Sequence, residues 1–141
     1  MKIFSDLHIH SRFSRATSGE LNIQNLVKYA KMKGVNLLGT GDFTHPSWLK
    51  ELKSELREDG SGILKNKKGF GFLLSTEVSN IYKQDNMQRR IHNIILAKDF
   101  ETVEQINEWL SKRGRLDYDG RPIFGLKTSS LWKPDCPLIP K

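Results

Sequence analysis

Apolar and polar positions along this chain switch between a period of two and a period near 3.6, and the switches mark out its elements. The first alternating stretch is Ser5-Asp6-Leu7-His8-Ile9-His10-Ser11. It predicts a strand with Leu7 and Ile9 on one face and Asp6, His8 and His10 on the other. After a polar, turn-like segment, Ile23, Leu26, Val27 and Ala30 recur at helical spacing. Asn22 suits the N-cap of that helix and Gly34 its C-terminal stop. The short apolar run Val35-Asn36-Leu37-Leu38-Gly39-Thr40 predicts a buried strand, and strand, helix and strand in succession make a βαβ unit with parallel pairing.

A second helix is predicted from Pro46, which suits a first helical position because its missing N–H costs nothing there. Its apolar stripe is Trp48, Leu49, Leu52 and Leu56. Residues 57–69 read as a flexible loop rich in Gly and Lys. A third strand is expected from Phe70 to Val78, with Phe70, Phe72, Leu74, Thr76 and Val78 on one face and Leu73, Ser75 and Glu77 on the other. Residues 79–90 read as a polar excursion before a fourth strand, Ile91–Ala97, which carries His92 near its start. Asp99 is placed to cap a last helix with core positions Val103, Ile106 and Leu110. Residues 117–141 read as an irregular tail holding a short β segment near 120–126. In that tail Trp132, Leu138 and Ile139 are apolar with nothing downstream to cover them.

The pattern describes one α/β domain, and composition agrees. Over 141 residues, 37% are hydrophobic and 28% charged, which excludes a disordered chain. No apolar run is long enough to span a membrane, and the N-terminus lacks the apolar core of a secretory signal. The single cysteine, Cys136, excludes an internal disulfide and fits a reducing compartment, so the expected location is cytoplasmic. The net charge of +7, with clusters at Lys65, Lys67 and Lys68, at Arg89 and Arg90, and at Lys112, Arg113 and Arg115, points to a polyanionic partner such as nucleic acid. Solvated lysine runs are the plainer explanation of any one cluster.

Candidate chemistry gathers at the strand ends. His8 and His10, then Asp42 and His45, then Glu77, then His92 follow consecutive β elements. In parallel α/β folds such positions converge on one site. Each residue alone has an ordinary explanation, but Glu77 late in an apolar strand must be exposed, paired or bound to a cation. Histidines and carboxylates without cysteine suit Zn²⁺, Mn²⁺ or Fe²⁺, and a carboxylate can bridge two ions.

Four of these segments carry a family resemblance. DLHIHS at 6–11, TGDFTHP at 40–46, STEVS at 75–79 and RIHNIIL at 90–96 resemble the first motifs of the PHP (polymerase and histidinol phosphatase) superfamily. More narrowly, LLGTGDFTHPSWLKELKSEL at 37–56 and LLSTEVSNIYKQ at 73–84 are similar to the endonuclease Q family of DNA-repair nucleases, which cut the strand 5′ to deaminated bases. The resemblance implies part of a distorted (β/α)7 barrel without its C-terminal strands and helices. It implies His8, His10, Glu77 and His92 as metal ligands, with Glu77 bridging, and leaves Asp42 and His45 both open as ligands of the second motif. Asp6 is then expected behind the ligands, orienting an imidazole. The metal implied is Zn²⁺, with Mn²⁺, Fe²⁺ or Mg²⁺ as alternatives, two or three ions in a complete domain. DNA is the implied partner, with Arg12, Lys67 and Arg90 as candidate backbone contacts.

The chain departs from the family pattern in three places. Phe43 follows Asp42 where many relatives have a histidine, the loop after His10 offers Arg12, Arg15 and Ala16 rather than an acidic ligand, and no histidine follows His92. The expectation is therefore a truncated domain whose remaining ligands come from more sequence or from another chain. The implied function is metal-dependent DNA nicking by the intact protein. A PHP phosphatase acting on a small phosphomonoester, and an inactive metal- or DNA-binding remnant, are the alternatives.

Overall fold

The computed structural model describes residues 2–133 and 136–138, apart from the side chain of Trp132. The expectations for Trp132 and Ile139 lie outside the described residues. Around one long strand, β5 (Gly71–Gln84), the other strands are arranged. Parallel to its first half runs β2 (Leu37–Gly39), in the register Leu37↔Gly71 to Gly39↔Leu73, and β1 (Ser5–Asp6) lies parallel to β2. On the other flank of that half, β4 (Leu64–Asn66) pairs antiparallel and is followed outward by β3 (Leu56–Arg57). The second half is flanked by β6 (Met87–Ala97), antiparallel from Leu74↔Ala97 to Gln84↔Met87, and by β7 (Ile123–Phe124), parallel at Ser79↔Ile123 and Asn80↔Phe124. With the helices α1 (Ile23–Met32), α2 (Pro46–Glu55) and α3 (Phe100–Ser111), this is a mixed α/β fold with a mostly sheet core and three α-helices among the described residues.

The helices form where their apolar spacing and caps dictate. Asn22 caps α1 by accepting the Asn25 N–H at 2.9 Å, and Gly34 takes the left-handed φ of +73° that ends such a helix. The core joins Ile23, Leu26, Val27 and Ala30 of α1, Trp48 and Leu52 of α2, and Val103, Ile106, Trp109 and Leu110 of α3 to Leu38, Phe72, Leu74, Val78 and Ile95 of the sheet. Burial of this apolar surface is the main driving force holding helices to sheet.

Four expectations are corrected. The first strand is only Ser5–Asp6, because beyond it the chain passes over glycines. A Cβ on Gly39 would stand 2.6 Å from the Leu7 carbonyl oxygen and one on Gly41 2.3 Å from that of Ile9, so the segment 7–10 is seated by close backbone approach and not by a ladder. The excursion at 79–90 is instead the tip of a long hairpin. Asp85 and Asn86 both have positive φ, +52° and +57°, making a two-residue turn whose twist matches antiparallel strands. The segment 57–69 is not all loop, since it contains β4, whose Leu64 is buried in the core. The tail is better covered than its composition suggests: Leu131 and Cys136 are buried and Leu138 packs partly buried against the core.

Candidate metal centre

Strand alternation places Glu77 on the face of β5 opposite Leu74 and Val78, together with Ser75 and Ser79. In register, Glu77 lies opposite Ile94 and Ser79 opposite His92, so His92 is on the same face, one diagonal step away. Its Nδ1 stands 2.6 Å from Glu77 Oε1. From the other side come the two histidines of the 7–10 segment: His8 Nε2 lies 3.3 Å and His10 Nε2 3.1 Å from Glu77 Oε2. Glu77 itself is only 3% exposed, and three imidazoles converge on its two oxygens.

A tighter set lies within this cluster. One ligand atom each from His8, His10 and Glu77 fall within 4.8 Å of one another, the group among the described residues with the spacing to hold a metal ion. His10 adds a chemical argument. Its Nδ1 is 2.9 Å from Asp42 Oδ1 while its Nε2 faces Glu77 Oε2, so both ring nitrogens look at carboxylates. A neutral imidazole carries one N–H, and the second nitrogen then presents a lone pair to a negative oxygen unless a proton or a cation lies between. The donor set therefore fits a divalent cation, and the Asp42 contact is the kind of carboxylate–histidine pairing that orients a ligating ring. The hydrogen bond that Asp42 accepts from the ring also raises the pKa of His10 above the ordinary histidine value, against the opposing effect of burial.

Asp42 is held for this task. Its Oδ2 accepts the Ser11 backbone N–H at 2.6 Å and the Ser11 hydroxyl at 2.7 Å, and its left-handed φ of +49°, beside Gly41 at +62°, turns the carboxylate back toward residues 10 and 11. Ser14 Oγ lies 3.2 Å from the same His10 nitrogen. Thus Asp42 reaches the cluster through His10. His45, the other candidate of that loop, sits at the N-cap of α2 with its ring stacked on Phe13 at 4.6 Å and its Nδ1 buried without a hydrogen-bond partner among the described residues. Asp6 is exposed and its Oδ1 accepts the His8 backbone N–H at 3.3 Å.

Of the basic candidates, Arg12 is drawn to Glu51 at 2.6 Å, Lys67 lies exposed in the turn after β4, and Arg90 is on β6, hydrogen-bonded to the Gln88 side chain. Arg121 was not among them, yet its Nη1 lies 3.8 Å from Glu77 Oε2. Only the Gly-Arg-Pro context of residues 120–122 sets it apart in the sequence, and that marks a turn rather than a site.

Fold and site together define an α/β sheet with a buried carboxylate ringed by histidines, and comparison with known proteins narrows the likeness. No family model matches the chain. Over 127 residues, or 89% of this chain, it is 39% identical to an uncharacterized protein of Methanocaldococcus jannaschii, and the match spans 14% of that protein. The crystal structure of the lesion-specific endonuclease PfuEndoQ from Pyrococcus furiosus superposes with a TM-score of 0.78 at 31% identity, covering 90% of this chain and 30% of that one. The same TM-score, identity and coverage hold for Endonuclease Q in complex with a 27-mer duplex substrate that has an abasic lesion at the active site. The chain therefore has the fold of part of an endonuclease Q structure and spans less than a third of its length.

Proposed function

We propose that this chain supplies the metal-holding wall of a PHP-type, endonuclease Q-like nuclease that hydrolyses a phosphodiester in DNA beside a deaminated or otherwise damaged base. The observation that carries the reading is the convergence of His8, His10 and His92 on the two oxygens of Glu77. The likeness to a lesion-specific endonuclease, and to an endonuclease solved on duplex DNA, supports nuclease chemistry and a DNA partner.

In this reading His8, His10, His92 and Glu77 hold one or more divalent ions, with Zn²⁺ the first candidate for a donor set of nitrogens and carboxylate oxygens. Such an ion supplies Lewis acidity, acidifying a water toward neutral pH and neutralising charge on the phosphate. The chain's own residues set the geometry. Asp42 fixes the His10 ring so that Nε2 faces the site, Ser11 fixes Asp42, and the glycines at 39 and 41 let the two histidines come down on Glu77. Arg90, exposed on β6 two residues before His92, is in this reading a contact to the DNA backbone.

The test is to purify the 141-residue chain, measure bound metal after dialysis, and incubate it with duplexes carrying uracil, hypoxanthine or an abasic site, with Zn²⁺ or Mn²⁺ and with EDTA. Stoichiometric metal that EDTA removes, and metal-dependent binding of the lesion duplex, are the expected results for this part of the site, with nicking expected of the intact protein. Turnover of a chromogenic phosphomonoester alone would replace the nuclease reading with a phosphatase one.

A further inference from the structure

Arg121 brings a cation to the carboxylate on which the histidines converge, and its surroundings do not use it up. At 3.8 Å the contact between its Nη1 and Glu77 Oε2 is an ion pair too long for a hydrogen bond. Its Nε is buried without a hydrogen-bond partner among the described residues, while 38% of the side chain is exposed. The guanidinium is thus buried at Nε within a partly exposed side chain, with donors left over from a group that has five.

The backbone on either side fixes that position. The Gly120 N–H donates to the Phe13 carbonyl at 3.1 Å, and a Cβ on Gly120 would stand 2.3 Å from Asp42 Oδ2. Arg121 donates its own N–H to Asp119 Oδ1 at 3.1 Å, and the Pro122 carbonyl accepts the Ser79 N–H at 2.9 Å. The segment is tied to the loop that carries His10 on one side and to the strand that carries Glu77 on the other. Such anchoring at both ends is what holds a binding group ready before its ligand arrives.

Charge then decides what the fork is for. The negative charge of Glu77 already faces three imidazoles. A divalent cation held by these residues would take up that charge and leave the guanidinium as excess positive charge beside the site, to be balanced by an anion. A planar fork with free N–H groups matches two oxygens of one phosphate. We propose that Arg121 is the phosphate-binding residue of this site, its guanidinium taking the non-bridging oxygens of the DNA phosphodiester. This rests on the nuclease reading above and assigns the anion-holding role that reading lacks.

The test compares the wild-type chain with Arg121→Gln and Arg121→Lys, measuring metal content and the fluorescence anisotropy of an abasic-site duplex across a salt series. Arg121→Gln is expected to keep wild-type metal content, to bind about tenfold more weakly, and to lose about 0.9 from the slope of log affinity against log salt, the signature of one phosphate contact. Arg121→Lys should restore the slope and only part of the affinity, because it keeps the charge without the fork. Unchanged affinity and slope in Arg121→Gln would overturn the proposal, and so would loss of metal together with affinity, which would make Arg121 a support for Glu77. No DNA binding by the wild type overturns it as well. If the wild type holds no metal, the metal reading fails by that measurement alone; the slope comparison on the same protein still decides for or against Arg121.

Discussion

His10 shows how much of the site turns on one hydrogen bond. Its Nδ1 faces Asp42 at 2.9 Å, so the nitrogen offered to Glu77 is Nε2, and which tautomer the ring adopts is set by a carboxylate that never needs to touch a metal. Asp42→Asn tests this with little change in shape, since asparagine also tolerates the left-handed φ of +49°. Metal affinity, followed by calorimetric titration, is expected to fall 10- to 100-fold. The His10 pKa should drop toward 6.5, because the Asp42 hydrogen bond is the largest cause raising it, and an NMR titration of the ring protons reads that shift. Glu77→Gln removes the negative charge that faces all three imidazoles and replaces one of its two acceptor oxygens with an NH2 donor, and should abolish stoichiometric metal binding while the circular dichroism spectrum stays unchanged. The residues that meet here were legible in the sequence for one physical reason: a polar group inside an apolar pattern demands an explanation. The bond between Asp42 and His10 was not legible, because it depends on a left-handed turn after β2 and on Ser11, neither of which leaves a mark in hydrophobic periodicity.

Among the elements, the helices were readable in advance and the hairpin was not. α3 carries its start signal in Asp99, whose Oδ1 accepts from the Thr102 N–H at 2.8 Å and from the Thr102 hydroxyl at 2.5 Å. Those two bonds, the hydroxyl's being the larger cause, hold the Asp99 carboxyl below the usual aspartate range. A depressed folded-state pKa gives stability that is complete above the unfolded value of 3.8 and is lost as pH falls through the folded one. Asp99→Ala should therefore cost about 1 kcal/mol in urea unfolding at pH 7. The gap from wild type should narrow as the pH is taken below 3.8. The β5–β6 hairpin escaped because its outer half carries polar residues on both faces, so period-two alternation vanishes where the ribbon leaves the core. Only Asp85-Asn86 marked it, through residues that accept positive φ. Asn86→Val puts a β-branched residue at a φ of +57° and should destabilise the chain by about 1–2 kcal/mol, read from the urea midpoint.

At the scale of the molecule, the sheet has one face committed to the helices and one that carries the site, and the site face is where apolar surface stays open. Ile94 lies opposite Glu77 and Leu96 opposite Ser75, so both share the face of the candidate metal centre, and they are 40% and 48% exposed. Beside them, β6 pairs with β5 on one flank, and no strand pairs with its other flank among the described residues. A long strand edge next to exposed Ile and Leu is a template for pairing with another chain. Against that stands the net charge of +7, which keeps copies apart as long as it is felt. Salt decides between the two, because added ions shorten the reach of charge repulsion to about 10 Å at 0.1 M while leaving apolar attraction intact. Self-association of the metal-loaded chain, measured by light scattering after size exclusion, is therefore expected to grow as salt is raised, whereas DNA binding should weaken over the same range. Leu96→Lys should suppress the association and leave metal content unchanged, since Leu96 faces Ser75 and not Glu77. Association that falls with salt, or that Leu96→Lys leaves untouched, would locate the contact elsewhere on the surface.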